Sequence, residues 1–231
     1  MLSFFVDYNN CKNEIEYYFR FLDYLESNSS ILNSLKIAAN DEINLELPKI
    51  MKANAFVMLY NLVESTIKNN LWEIFQQIKI SQLSYSDLTY ELKNVVLLKK
   101  APIDFKTKDE TITKQIISII EKALTDFSEY FPKNKQQINF ETGNLDIEKI
   151  KNTFISHGIA PVPQTHTDQV EAFSVTVRNR NHLAHGDQTF GELGKNYSFL
   201  QINEYKNYIF EYLDRTISET ENYILQKRYK I

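Results

Sequence analysis

The longest helical signal in the chain runs from about Pro48 to Ile80, and it sets the class of fold. Phe56, Leu59, Val63, Ile67, Leu71, Ile74 and Ile78 recur there at spacings of three and four, the apolar face of one long helix. The same period returns near the start in Phe4, Tyr8, Cys11, Ile15, Tyr18, Leu22 and Leu25. It returns again near the end in Tyr205, Ile209, Tyr212, Thr216, Thr220 and Tyr223. Only five glycines and five prolines occur in 231 residues, so long regular elements with few turns are expected. One all-α domain over 1–231 is the simplest account.

Between these long helices the signals are shorter. Residues 29–47 suggest a short helix and a loop, and a brief segment at 86–99 ends before Pro102. Ile112, Ile116, Ile119, Ala123, Phe127 and Tyr130 trace a further helix, stopped by Pro132. After the polar connection 132–144, Leu145 or Asp146 opens a helix carrying Ile147, Ile150 and Phe154, closed near Gly158. The stretch 159–167, with Pro161 and Pro163, reads as a loop. Thr167–Asp168, with Glu171 following, reads as the N-cap of the next helix, whose apolar line is Val170, Phe173, Val177 and Ala184. Gly186, Gly191 and Gly194 mark a loop with special backbone angles.

Composition removes several classes of function. No run of eighteen apolar residues occurs, so no transmembrane helix is expected. The opening residues lack the basic start and cleavage site of a secretion signal. Cys11 is the only cysteine and lies on an apolar stripe, where a small buried hydrophobe is expected. A reducing cytoplasm is the natural setting. A CxxC pair, a P-loop, a GxGxxG and an HExxH are all missing, so no metal or nucleotide cofactor is expected. The net charge of -4 means that any contact with nucleic acid rests on a local patch.

Such a patch exists in RNRNHLAHG, residues 178–186. Cations in a helix's last turn followed by glycine are an ordinary helix end. At about 100° per residue, Arg178, Asn181, His182 and His185 share one face. Arg180 falls instead on the apolar line through Val177 and Ala184. A second misfit of opposite sign is Glu64, whose neighbours at helical spacing are Val57, Tyr60, Ile67 and Leu71. An unpaired buried charge is very costly, so Glu64 either escapes to solvent, pairs with a structural Lys or Arg, or meets Arg180 across two helices, the pairing that the two misfits of opposite sign suggest.

These residues carry a resemblance. Arg180-Asn181-His182-Leu183-Ala184-His185 is similar to the RNxxxH signature of the HEPN superfamily, the higher eukaryotes and prokaryotes nucleotide-binding domains. KANAFVMLYNLVEST (52–66), TGNLDIEKIK (142–151) and RNHLAHGDQTF (180–190) resemble, in order, the blocks of a HEPN-like nuclease branch encoded beside toxin–antitoxin, abortive-infection and restriction genes. The resemblance implies an α-helical bundle with additional helices that forms a homodimer, with two copies of the motif lining one cleft. It also implies metal-independent cleavage of RNA, with Arg180 and His185 as the catalytic pair, Asn181 orienting them and Glu64 in support.

The chemistry suits such side chains. An imidazole titrating near neutrality can take a proton from the RNA 2′-OH or give one to the leaving 5′-oxygen. A guanidinium can hold the charge that grows on the phosphorane oxygens. The expected products are a 2′,3′-cyclic phosphate or 3′-phosphate and a 5′-hydroxyl. On an unbroken helix, however, Arg180 and His185 diverge by about 140°. The helix must unwind near Gly186, or two chains must share the site, or Arg178 must be the working arginine. His182, Lys99 and Lys100 are candidate RNA contacts. Lys106, Lys108, Lys227, Arg228 and Lys230 could add phosphate contacts, and His157 and His166 receive no role.

Three functions remain open on the sequence. The first is an endoribonuclease acting as a toxin or antiphage defence effector, held by a cognate antitoxin. The second is an inactive HEPN-like module that binds RNA, a nucleotide or a partner protein. The third is the target of a nucleotidyl-transfer system.

Overall fold

A 39-residue helix, Glu42–Ile80, is the longest element of the structure, a computed structural model that describes residues 3–28, 42–98, 113–114, 116–118, 131–138 and 144–231. The helices are α1 (Ser3–Ser27), α2 (Glu42–Ile80), α3 (Tyr90–Leu98), α4 (Ile147–Ser156), α5 (Asp168–His185), α6 (Phe190–Gly194) and α7 (Phe199–Leu225). Among the described residues every element is helical, apart from one isolated antiparallel bridge between Leu88 and Lys230. The all-α expectation holds. The proposed helix over 112–130 falls largely outside the described residues, and its described parts, 113–114 and 116–118, are helical. The stretch 29–41 also lies outside them.

The chain divides into two compact units. One comprises Met1–Ile67, Thr142–Ile147 and Pro163–Arg215, and the other Lys68–Glu141, Glu148–Val162 and Thr216–Ile231.

In the first unit, α1 lays Tyr8, Ile15, Phe19, Leu22 and Leu25 inward. Leu22 and Leu25 close on Met51, with Tyr18, Leu47 and Phe199 around them. Polar anchors fix the same face. The Tyr8 hydroxyl donates to Asp214 at 2.7 Å, and Lys12 reaches the same carboxylate at 2.7 Å. Lys206 is only 5% exposed, yet its ammonium meets Glu16 at 3.1 Å and lies 5.1 Å from the Phe19 ring centroid. Those partners satisfy a charge that would otherwise be costly to bury.

In the second unit, the Phe75 ring packs against Phe131 at 5.3 Å and His157 at 5.9 Å. The Tyr223 hydroxyl donates to the His157 carbonyl at 3.0 Å. Gly158, at φ +72°, closes the turn after α4, as its place in the sequence suggested.

Several local expectations need correction. Helix α2 starts at Glu42 and carries Pro48 inside it. A proline near a helix start reads as the first position, but here it sits two turns in, where it has no N–H to give the Asn44 carbonyl. Cys11 is exposed rather than buried. Helical period places it on the inward side, but among the described side chains of the first turns of α1, residues 5–14, only Tyr8 is buried. Thr167 borders α5 as expected but makes no side-chain cap bond to a backbone N–H. Its hydroxyl turns to the Asp168 carboxylate instead, at 3.3 Å.

The three glycines differ in kind. Gly186 caps α5 in the left-handed conformation at φ +73°. Gly191 and Gly194 lie in the short helix α6, begun by a reciprocal capping box between Thr189 and Glu192. Gly194 is required by close approach, because a Cβ there would run into the Lys49 backbone.

Replacing Gly194 by Ala should therefore lower unfolding stability by about 1–3 kcal/mol through overpacking. Urea denaturation measures it, and an unchanged midpoint would show that α6 does not press on α2 as described.

Candidate functional site

The site grows from the inner face of α5, which is more polar than its sequence pattern suggested. Its buried residues are Gln169, Ala172, Phe173, Val175, Thr176 and Asn179, whereas Val170 and Ala184 are exposed. The expected apolar line was therefore displaced. Ridges through 169, 172, 173, 176 and 179 share a helix face as well as any apolar set, and here the neighbouring groups accept polar side chains. Gln169 accepts from the Thr165 N–H at 3.1 Å, and Asn179 accepts from the Tyr197 hydroxyl at 3.2 Å.

Arg180 follows this polar face. Its Nη2 lies 3.9 Å from the Glu64 carboxylate, with the two side chains 27% and 28% exposed. The expected pairing of the two misfit charges is present. The guanidinium also lies over the Tyr60 ring, 4.1 Å from its centroid. Its Nη1 donates to Asn181 Oδ1 at 3.0 Å. A flat cation is thus held by an aromatic face, a carboxylate and an amide, with part of it open to solvent.

Asn181 extends the arrangement by donating from Nδ2 to Asn144 Oδ1 at 2.7 Å. The next residue, Leu145, is tied to the Tyr60 hydroxyl through its backbone. Burial raises the Tyr60 hydroxyl above its ordinary pKa, against the lowering effects of that bond and of Arg180. The ring under the guanidinium is therefore a neutral tyrosine. Tyr60 and Asn144 are members of this arrangement that sequence reasoning passed over. Tyr60 stood four residues before Glu64 on the same line, and a ring beside an embedded carboxylate was the available sign.

The other face of α5 borders a cavity of about 370 Å³. Helix residues Val177, Arg178, Asn181 and His182 line it, together with Asp146 and Asp187. Ser174 completes the lining one turn earlier. His182 Nδ1 lies 3.2 Å from Asp187 Oδ2. Arg178 and His185 are exposed. His185 ends the helix, and its side chain makes no hydrogen bond or ion pair with the described residues. Helix α5 is continuous through His185 and stops only at Gly186. Unwinding before His185 is thereby removed as a way of turning it toward Arg180. Lys99, Lys100, Lys106 and Lys108 lie outside the described residues. Among those described, no three His, Cys, Asp or Glu side chains are grouped to hold a metal ion. No described helix is long and apolar enough to cross a membrane.

A chain whose described elements are helices, one of them ending in Arg-Asn…His with the arginine against a tyrosine and a glutamate of another, has the form of a HEPN-type module. The MAE_28990-like HEPN family model matches residues 3–229, and the chain belongs to that family. No curated protein and no solved structure matches it.

The cradle makes a stability contrast. Tyr60→Phe strips the Leu145 N–H of its acceptor and should cost about 1–3 kcal/mol. Glu64→Gln loosens a half-exposed pair and should cost about 1 kcal/mol or less. Chemical denaturation of both variants checks the order, and the reverse order would mean that Glu64 is the structural member.

Proposed function

We propose that the protein is a metal-independent endoribonuclease that works as a homodimer, with Arg180 and His185 at the reacting phosphate. The observation that carries this reading is the state of Arg180, a guanidinium fixed by Glu64, Tyr60 and Asn181 yet left partly open, five residues before an exposed imidazole. Ordinary helix-end cations are solvated and free to turn. One that is held in place needs no reorganisation when charge develops on a phosphoryl oxygen.

His185 serves as the base or acid on the 2′-OH or the 5′-oxygen. Asn181 and Glu64 orient Arg180, and His182 contacts the RNA strand. The unbroken helix supports a shared site, since residues about 140° apart cannot address one phosphate from a single straight helix. Arg180 of one copy then acts with His185 of the other. Arg178 lies on the His185 face and is the arginine that a one-chain site would use. The biological role that fits is a toxin or antiphage effector, acting on cytoplasmic RNA and restrained by an antitoxin protein.

A second reading is favoured by the net charge of -4 and by Asp146 and Asp187 beside the cationic face. On that reading the module binds RNA, a nucleotide or a partner protein without cutting.

Incubation of the protein with RNA in EDTA separates the two readings. Wild type should yield fragments with 5′-hydroxyl ends, and His185→Ala or Arg180→Ala should each slow cleavage at least ~100-fold. Mixing the two inactive variants should restore up to about a quarter of the activity, because one site of each mixed dimer is then intact. No cleavage by wild type would sink the nuclease reading. Cleavage that mixing cannot restore would sink the shared site and favour Arg178. Growth arrest on expression, relieved by His185→Ala, tests the toxin role.

A further inference from the structure

We propose that Asn144 is a positioning residue for Arg180, acting through Asn181 in a directional relay of amide hydrogen bonds. The proposal deepens the ribonuclease reading and rests on it for the effect on rate, but not for the hold on the guanidinium. Side chains at neighbouring helix positions diverge by about 100° and do not face each other. Arg180 nevertheless donates from Nη1 to Asn181 Oδ1 at 3.0 Å. That contact persists only if the Asn181 amide is itself held with its oxygen toward the guanidinium.

Donor and acceptor chemistry fixes the direction of the relay. A guanidinium has N–H donors and no acceptor, so the Asn181 atom that meets it must be oxygen. The other end of that amide is then the NH₂ group, which needs an acceptor. Asn144 Oδ1 supplies it at 2.7 Å. Turning the Asn181 amide over would set oxygen against oxygen at Asn144 and N–H against N–H at Arg180. The acceptor at position 144 therefore decides which way Asn181 points.

The contacts from α2 leave room for such a device. A ring face sets the plane of a guanidinium but not its rotation within that plane, and the Glu64 contact is long at 3.9 Å. The bond to Asn181 supplies the missing direction. Asn144 is well fixed for the task. Its carbonyl accepts from the Asp146 N–H at 3.1 Å, and Leu145 beside it is 1% exposed and tied to Tyr60. Asn144 and Asn181 are both half-buried, so water competes only in part for their bonds. All of these residues belong to one compact unit.

Side-chain NMR of the full chain carrying isotope-labelled arginine reads the hold directly, with Arg180 assigned by its loss in Arg180→Lys. Wild type should give two resolved Nη signals for Arg180, the mark of a guanidinium that does not turn freely. Asn144→Ala should merge them. Asn144→Asp keeps an acceptor and should leave them resolved. Asn181→Asp should do the same, because the Asn144 amide can then turn over and donate. Asn144→Asp combined with Asn181→Asp should merge them, since two carboxylates then oppose each other. If Asn144→Ala fails to fold by circular dichroism, the two single aspartate variants against their combination decide the same question. In RNA cleavage, Asn144→Ala should lower kcat about tenfold at nearly unchanged KM, and Asn144→Asp should recover most of the loss. Arg180 signals that stay resolved in a folded Asn144→Ala, or in the combined variant, would overturn the proposal. The expected signals in a protein that cuts no RNA defeat the nuclease and keep the relay, whereas cleavage indifferent to Asn144→Ala defeats the relay and spares the nuclease.

Discussion

The placement of Arg180 depends on its partners in α2. A guanidinium that is 27% exposed retains some hydration, so the pair with Glu64 at 3.9 Å adds little stability. Its significance is geometric. Arginine has several torsions and ordinarily samples many rotamers; here a ring below, a carboxylate beside and an amide alongside leave it few. The same ring takes the Leu145 backbone bond through its hydroxyl, and the same amide holds Asn144. Helix α2, helix α5 and the segment 144–146 are thus tied together through two side chains, Tyr60 and Asn181. Asp146 is carried to the edge of the cavity by that tie.

The polar inner face of α5 follows from the same arrangement. Gln169 is met by Thr165 and the Asn179 Oδ1 by the Tyr197 hydroxyl, while Asn179 Nδ2 and Thr176 Oγ1 are buried with no hydrogen-bond partner among the described residues. A helix held by directed bonds has fewer ways of sliding or turning than one held by apolar contact alone.

Legibility in the sequence divided along physical lines. The inward stripe of α7, from Tyr205 through Tyr223, is buried throughout, because a long helix packed along its length obeys its own period. The pairing of Glu64 with Arg180 was also readable, since two opposite charges in apolar surroundings have few ways to be satisfied. Cys11 was misjudged because period identifies a face but not what covers it. Val170 and Ala184 were misjudged because polar residues filled the buried positions of α5, and their partners lie far off in sequence. Gly194 read as part of a loop with special backbone angles. Its real constraint is the Lys49 backbone, which nothing local could indicate. The cavity was illegible for the same reason, since Asp146 and Asp187 join α5 from segments on either side of it.

The acidic character of the chain fits this organisation. A protein that grips RNA along its whole surface gains affinity from many phosphates and little choice among sequences. In this chain Arg178, Arg180, His182 and His185 come together at one helix end, with Asp146 and Asp187 beside them. On the proposed ribonuclease reading, those carboxylates weaken the attraction for phosphate, and affinity comes in part from contacts other than the backbone. A net charge of -4 is compatible with such a local site, because what matters to one phosphate is the charge within about a Debye length of it.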